Sequence, residues 1–346
     1  MIKQKSEERN EQMQNKIDKI KAVMIGHAVA DALGVPVEFC SRDELKKQPV
    51  TDMMGYGTYP VPAGSWSDDT SMSIAALDSL ASGKFDANEI MLNFVKWLES
   101  GAYTPTGECF DIGCTCQRAI QNFIGMTYTP EEQIVIPVGF DATVCGIDGE
   151  CNNGNGALMR IHPFSLMIYF DQSRQMDFEP IIDRACALTH VHARSKLACE
   201  IYTLILHHLL AFPNKDAVIR ALDAANIRYS QHPEYRHFER LLGEGFETLA
   251  EDQIKSSGYV VDTLEAAVWC LLTTDSYREC VLKAVNLGED TDTVAAVAGG
   301  LAGAKYGYDS IPLEWKNTLI KREYIEAMCE SAGKNWLSND LKKYSH

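Results

Sequence analysis

Apolar residues recur along most of this chain at the three-and-four spacing that puts them on one side of a helix. Val260, Val261, Leu264, Ala267, Val268, Leu271 and Leu272 form one such stripe, and periodicity near 3.6 residues predicts an amphipathic helix. Leu197, Ile201, Leu204, Ile205, His208 and Leu209 form a second, which ends before Pro213 because proline cannot continue a helix. Further helices are predicted over 22–33, over 71–80 with a stop near Gly83, and over 88–100 with a stop at Gly101. Two more fall near 112–124 and over 294–306. Alternating patterns are scarce. The best, 134–138, is interrupted by Pro137, and no strand–helix–strand alternation occurs. The pattern predicts a mostly α protein. No Gly/Ser linker, compositional shift or internal repeat marks a boundary, so a single domain is expected. Its longest poorly helical stretch is 100–156, and long irregular connections of this kind tend to carry function.

Composition narrows the classes. With 346 residues, 46% hydrophobic and 23% charged, the chain has a globular balance that excludes disorder. Its net charge is −16, from 32 Lys and Arg against 48 Asp and Glu, which repels polyphosphate backbones and argues against a nucleic-acid binder. A small anionic ligand at a locally cationic site stays open. Eleven cysteines are scattered without a C-x-x-C pair, so reduced thiols in a cytoplasmic protein are expected rather than zinc or disulfides. Residues 3–21 are polar and lack a leader's apolar core. The near-apolar run 294–304 is about half the ~20 residues that span a bilayer.

Three segments could carry chemistry. Ser67-Asp68-Asp69-Thr70 leads into the 71–80 helix, and Asp290-Thr291-Asp292-Thr293 leads into the 294–306 helix. Each alone is ordinary helix-start chemistry, with Ser67 as a cap and acids against the dipole. Together they offer hydroxyl and carboxylate oxygens that suit Mg²⁺ or Mn²⁺, and two such starts can converge on a two-metal centre. The helix after the second has Gly299, Gly300 and Gly303, each costing roughly 1 kcal/mol against alanine. That cost makes sense if another backbone approaches closely. The third segment, Asn152 to Arg160 with Asn155-Gly156 at its centre, is a flexible turn entering a helix, either a simple loop or an anion cradle at a helix start. His190 lies between two helices, and Glu38 sits oddly at a helix C-terminus.

In this order the stretches 26–38, 64–70, 153–160, Thr189-His190 and 286–307 resemble the ADP-ribosylglycohydrolase family. The resemblance implies a compact all-α orthogonal helical bundle with a binuclear Mg²⁺ or Mn²⁺ centre in a central cleft. It implies metal ligation by Ser67, Asp68, Asp69, Asp290, Asp292 and Thr293, with Ser67 where the family commonly has threonine. Glu38, Asp69 and Asp111 become the candidate acid–base carboxylates, and Asn155, Gly156, Met159 and His190 the ADP-ribose contacts. Ala30 replaces a common glycine before Asp31, a change expected to affect packing. The implied activity is release of ADP-ribose from an arginine- or serine-modified protein. A small ADP-ribose conjugate as substrate, or a non-catalytic crystallin-like role, are the alternatives. Residues 1–20 are expected to be a polar extension and 21–346 the domain, with acceptor specificity set in the loops of 100–151.

Overall fold

The computed structural model describes the backbone of residues 2–129, 133–171 and 177–343. Helices run α1 (Ile2–Gly34), α2 (Arg42–Lys47), α3 (Asp68–Leu80), α4 (Ala87–Ser100) and α5 (Cys114–Thr127). Next come α6 (His162–Phe170), α7 (Glu179–Ala187), α8 (Ala193–Ala211), α9 (Lys215–Tyr229) and α10 (Glu239–Leu242). The chain closes with α11 (Val260–Leu272), α12 (Tyr277–Val285), α13 (Thr291–Tyr306), α14 (Leu313–Thr318) and α15 (Arg322–Lys343). Among the described residues extended pairing is limited to isolated bridges, Tyr128 with Ile134, Ile147 with His190 and Gly154 with Tyr259. The chain is all-α. The alternating 134–138 stretch forms no strand: Pro137 removes a donor, and Val138 is fully exposed.

The core is organised around α1 and α13. Both are nearly all buried where they cross, and small residues let their backbones touch. A Cβ on Gly299 would lie 2.4 Å from the Gly26 carbonyl oxygen and 2.4 Å from the Ala30 Cβ, and one on Gly303 would lie 1.9 Å from the Ala22 carbonyl. The close approach expected from the glycine-rich helix is therefore present, and Ala30 occupies the contact. The stretch Met13–Val37 is long and apolar enough to cross a membrane by composition, yet 94% of that window is buried inside the protein. It is the hydrophobic centre of the fold. The sequence pattern places a helix start near residue 22, whereas α1 begins at Ile2, so the expected boundary between residues 20 and 21 falls inside it. Ile17 and Ile20 are buried, and a Cβ on Gly333 of α15 would touch both.

Candidate active site

Two helix starts meet at the base of one cleft. Ser67 caps α3: its Oγ accepts from the Asp69 N–H at 3.3 Å and donates to Asp69 Oδ2 at 2.9 Å. Asp290 stands at the N-terminus of α13, and Thr293 in its first turn donates from Oγ1 to the same Asp69 Oδ2 at 3.3 Å. Asp31, from inside α1, supports the arrangement from behind. Its carboxylate accepts from the backbone N–H groups of Ser67 and Thr70 at 3.0 and 3.1 Å, and from the Thr70 hydroxyl at 2.6 Å.

The loops are held as tightly. Phe39 and Glu289 both adopt positive φ, at 66° and 64°, a region non-glycine residues rarely occupy. The Phe39 N–H donates to the Glu289 carbonyl and the Glu289 N–H to the Cys40 carbonyl, each at 2.7 Å. This pairing sets Glu38 beside Asp290, and such strain is concentrated at sites whose geometry matters. Asn155 donates to Asp290 Oδ2 and to the Thr263 hydroxyl, each at 2.9 Å, and its own N–H bonds the Gly258 carbonyl at 3.0 Å.

Seven carboxylates thus share one region: Asp31, Glu38, Asp68, Asp69, Asp111, Asp290 and Asp292. Burial raises every one of them, with Asp31 pushed to about 6 and Glu38 to about 8. Asp68, Asp69 and Asp292 are raised well above the usual carboxylate range, and the strongest charges acting on them come from other carboxylates. Asp31, Asp69 and Asp292 place one oxygen each within 4.8 Å of one another, as do Glu38, Asp290 and Asp292. Asp292 belongs to both groups. Buried oxygens on Glu38, Asp69 and Asp290 have no hydrogen-bond partner. Buried like charges without a counter-ion are strongly unfavourable, and hard-oxygen donors are what Mg²⁺ or Mn²⁺ takes. The residues fit a cation site. By contrast Glu150, His192 and Glu234, a third such group, already surround Arg194, which lies 3.0 Å from Glu150 and 2.8 Å from Glu234.

Above the carboxylates is a cavity of about 310 Å³. Glu38, Asp68, Asp111, Asp290 and Thr293 form one part of its lining; Asn155, Gly156, Met159 and His190 form another. All the expected site residues are therefore brought together, with Ser67, Asp69 and Asp292 beneath the lining. The segment 153–160 leads into α6, whose N-cap is Ile161, but the Asn155-Gly156 turn lies well upstream of that helix start, which favours the loop over the helix-start cradle. The turn is not loose: Asn155 and Met159 are tied by backbone hydrogen bonds, and Asn153, Asn155 and residues 157–160 are buried.

Several residues here were not singled out as site residues from the sequence. Asp31 hides in an apolar helix. The Tyr59 hydroxyl lies beside the carboxyls of Glu38 and Asp111 and favours their charged forms, and its ring packs on Phe110 with centroids 5.0 Å apart. Arg160 is fully buried and reaches Thr189 beside His190. Of the 100–151 segment, Asp111 to Cys116 reaches the cavity.

The fold and site together are those of an all-α protein whose buried carboxylates, gathered around two helix starts, could hold a metal ion. Residues 12–342 match the ADP-ribosylglycohydrolase family, and the chain belongs to that family. It is 33% identical over 318 residues to the ADP-ribosylarginine hydrolase Tri1 of Serratia proteamaculans, covering 91% of this chain and 78% of that one. It is 32% identical over 325 residues to the ADP-ribosyl-dinitrogen reductase glycohydrolase of Rhodospirillum rubrum, covering 91% and 97%. A solved structure titled ADP-ribosylglycohydrolase-related protein complex superposes with a TM-score of 0.74 at 28% identity, covering 93% of this chain and 99% of that one.

Proposed function

We propose that this protein is a metal-dependent hydrolase that cleaves the glycosidic bond between ADP-ribose and a modified protein side chain, arginine first and serine second. The observation that carries the reading is the set of seven carboxylates gathered without a counter-charge, five buried and Asp111 and Asp290 half-buried, at a cavity also walled by Asn155, Gly156, Met159 and His190. Ser67, Asp68, Asp69, Asp290, Asp292 and Thr293 would hold two Mg²⁺ or Mn²⁺ ions, with Asp31 as a further neighbour. Such ions supply Lewis acidity and an activated water.

The chain's own residues do the rest. Glycoside hydrolysis through an oxocarbenium-like transition state needs a carboxyl that moves protons at the scissile bond. Glu38 and Asp111 line the cavity and share Tyr59, whereas Asp69 is fully buried and tied to Ser67 and Thr293. Glu38 or Asp111 therefore suits the proton-transfer role better than Asp69. A cavity lined by Glu38, Asp68, Asp111 and Asp290, with exposed Phe39 beside them, suits a cationic guanidinium acceptor, and the Serratia relative's name points the same way. A cytoplasmic location belongs to the same reading, supported by eleven unpaired thiols.

Release of ADP-ribose from an arginine-modified and a serine-modified protein, each in Mg²⁺, Mn²⁺ or EDTA, tests the proposal. Metal-dependent release from the arginine substrate, abolished by Asp68→Asn, is the expected result. No release from either substrate in any metal would overturn it.

A further inference from the structure

His190 stands at the end of a buried relay. Arg160 is 0% exposed, and its Nη2 donates to Thr189 Oγ1 at 2.7 Å while Nη1 donates to the Ala185 carbonyl at 3.2 Å. Thr189 Oγ1 in turn lies 2.8 Å from His190 Nδ1. The His190 backbone is pinned as well: its N–H donates to the Cys186 carbonyl at 2.8 Å, and Ile147 pairs across it.

The direction of the relay follows from donor chemistry. A guanidinium has hydrogens and no lone pair, so Arg160 occupies one acceptor position of the Thr189 hydroxyl. A hydroxyl polarised in this way becomes a stronger donor and a poorer second acceptor. Its own hydrogen has two destinations, His190 Nδ1 and the Cys116 thiol. Sulfur accepts weakly, and the Cys116 S–H is itself directed to the Gly156 carbonyl at 3.6 Å. The Thr189 hydrogen therefore goes to Nδ1, which leaves the ring's own hydrogen on Nε2. Nε2 lies on the cavity wall under the 154–156 turn, 3.8 and 3.7 Å from the Cβ positions that Gly154 and Gly156 lack.

The geometry assigns His190 as a fixed Nε2–H donor in the cleft, with Arg160 and Thr189 as positioning residues that set its tautomer, so a ligand must present an acceptor oxygen there. This assignment rests on the proposed ADP-ribose site, whose ribose and diphosphate offer such oxygens. It also removes His190 from two other roles, because a ring with Nδ1 engaged and Nε2 protonated has no lone pair for a proton or a metal. The charge that acts on the ring is that of Arg160, and Cys116 Sγ and the ring edge meet the same point beside Gly156. Burial first and the Arg160 charge second push its imidazole down to about 3, so the donor persists across neutral pH.

Nitrogen-15 NMR of histidine-labelled full-length protein reads the tautomer directly, with His190 assigned by its loss in His190→Gln. The expected spectrum has a protonated-type Nε2 and an unprotonated-type Nδ1 from pH 5.5 to 8.5, without any ligand added. A protonated-type Nδ1, or imidazolium in that range, overturns the assignment. Binding of ADP-ribose in Mg²⁺ supplies the second readout. Thr189→Val is expected to weaken it about tenfold, and Thr189→Ser to restore it to within about twofold. Equal affinity in Thr189→Val and wild type would also overturn it. Should wild type fail to bind ADP-ribose, the proposed function falls while the tautomer remains readable.

Discussion

Replacing Asp292 by asparagine should stabilise the metal-free protein while removing its response to divalent ions. Asp292 is 1% exposed and is the carboxylate common to both oxygen groups. Burial, then Glu38, Asp69 and other carboxylates, raise it well above its ordinary range. In an unfolded chain an aspartate titrates near 3.9, so each unit by which the fold raises it costs about 1.36 kcal/mol at pH values above both. Asparagine needs no proton. Its Oδ1 can keep the bond from the Thr293 N–H, 2.9 Å in the wild type, and its amide hydrogens can meet the neighbouring carboxylates. Relaxation and water entry reduce such figures, so the expected gain is about 1–3 kcal/mol, or roughly 2–4 °C in Tm at this chain length.

Thermal unfolding in EDTA and in a Mg²⁺ series measures both halves of the argument. In wild type, Mg²⁺ at a hundred times its Kd adds about 3 kcal/mol for each site that binds only the folded state; in Asp292→Asn most of that increment should vanish. The sign with pH is fixed too. Carboxylates whose folded pKa is raised contribute best below the unfolded value and lose stability as pH climbs toward the folded one. Metal-free wild type should therefore weaken between pH 5.5 and 8 more than the variant does. A variant less stable than wild type in EDTA, or one with the full Mg²⁺ increment, would refute the reasoning.

Three further outcomes are expected. Gly303→Ala would put a methyl 1.9 Å from the Ala22 carbonyl and force α1 from α13, at a cost of about 2–4 kcal/mol; a Tm within 1 °C of wild type in calorimetry would count against that crossing. Tyr59→Phe keeps the ring on Phe110 but removes the hydroxyl shared by Glu38 and Asp111, so kcat should fall about tenfold with Tm nearly unchanged, and an equal loss in both would mean a packing role only. Glu200, buried and facing Asp183, Glu179 and Tyr229, is pushed up to about 9, by burial first and Asp183 next. Its share of stability is greatest below about 4.5 and is lost toward pH 9, so denaturant titrations of Glu200→Gln should show a flatter decline between pH 6 and 9 than wild type.

What was legible in the sequence was what repeats at short range. The 88–100 prediction closely matches α4 (Ala87–Ser100), which Gly101 ends at φ 66°, and the Val260–Leu272 stripe is α11 itself. The acid pairs were visible because they also obey helix-start rules, and Ser67 does cap α3 as expected. Asp31, Tyr59 and Arg160 were not, because their meaning lies in partners 36, 52 and 29 positions away that no periodicity links. Asp31 sits in an apolar stretch where a single acid disturbs the helical pattern too little to register. The 153–160 turn was legible as a turn but not as a rigid one. Asn and Gly favour a flexible turn locally, but hydrogen bonds to Gly258, Thr263 and Asp290 fix it from distant segments.

The same crossing explains why the site and the core cannot be separated. Asp31 sits between Gly26 and Gly34 on the face of α1 that meets α13, and a Cβ on Gly34 would strike Asp292 itself, 2.3 Å from its Cα. Backbone contact at these glycines therefore sets how near Asp31 comes to Asp292. Widening the contact by one methyl would part the carboxylates whose oxygens lie within 4.8 Å of one another and so weaken the proposed cation site even where the fold survives. Glycine in a helix interior lowers stability, and the carboxylates it draws together lower it again. Both penalties fall on the helix pair at the centre of the apolar core. That core is where burial can best offset them, and a peripheral pair would have no such reserve.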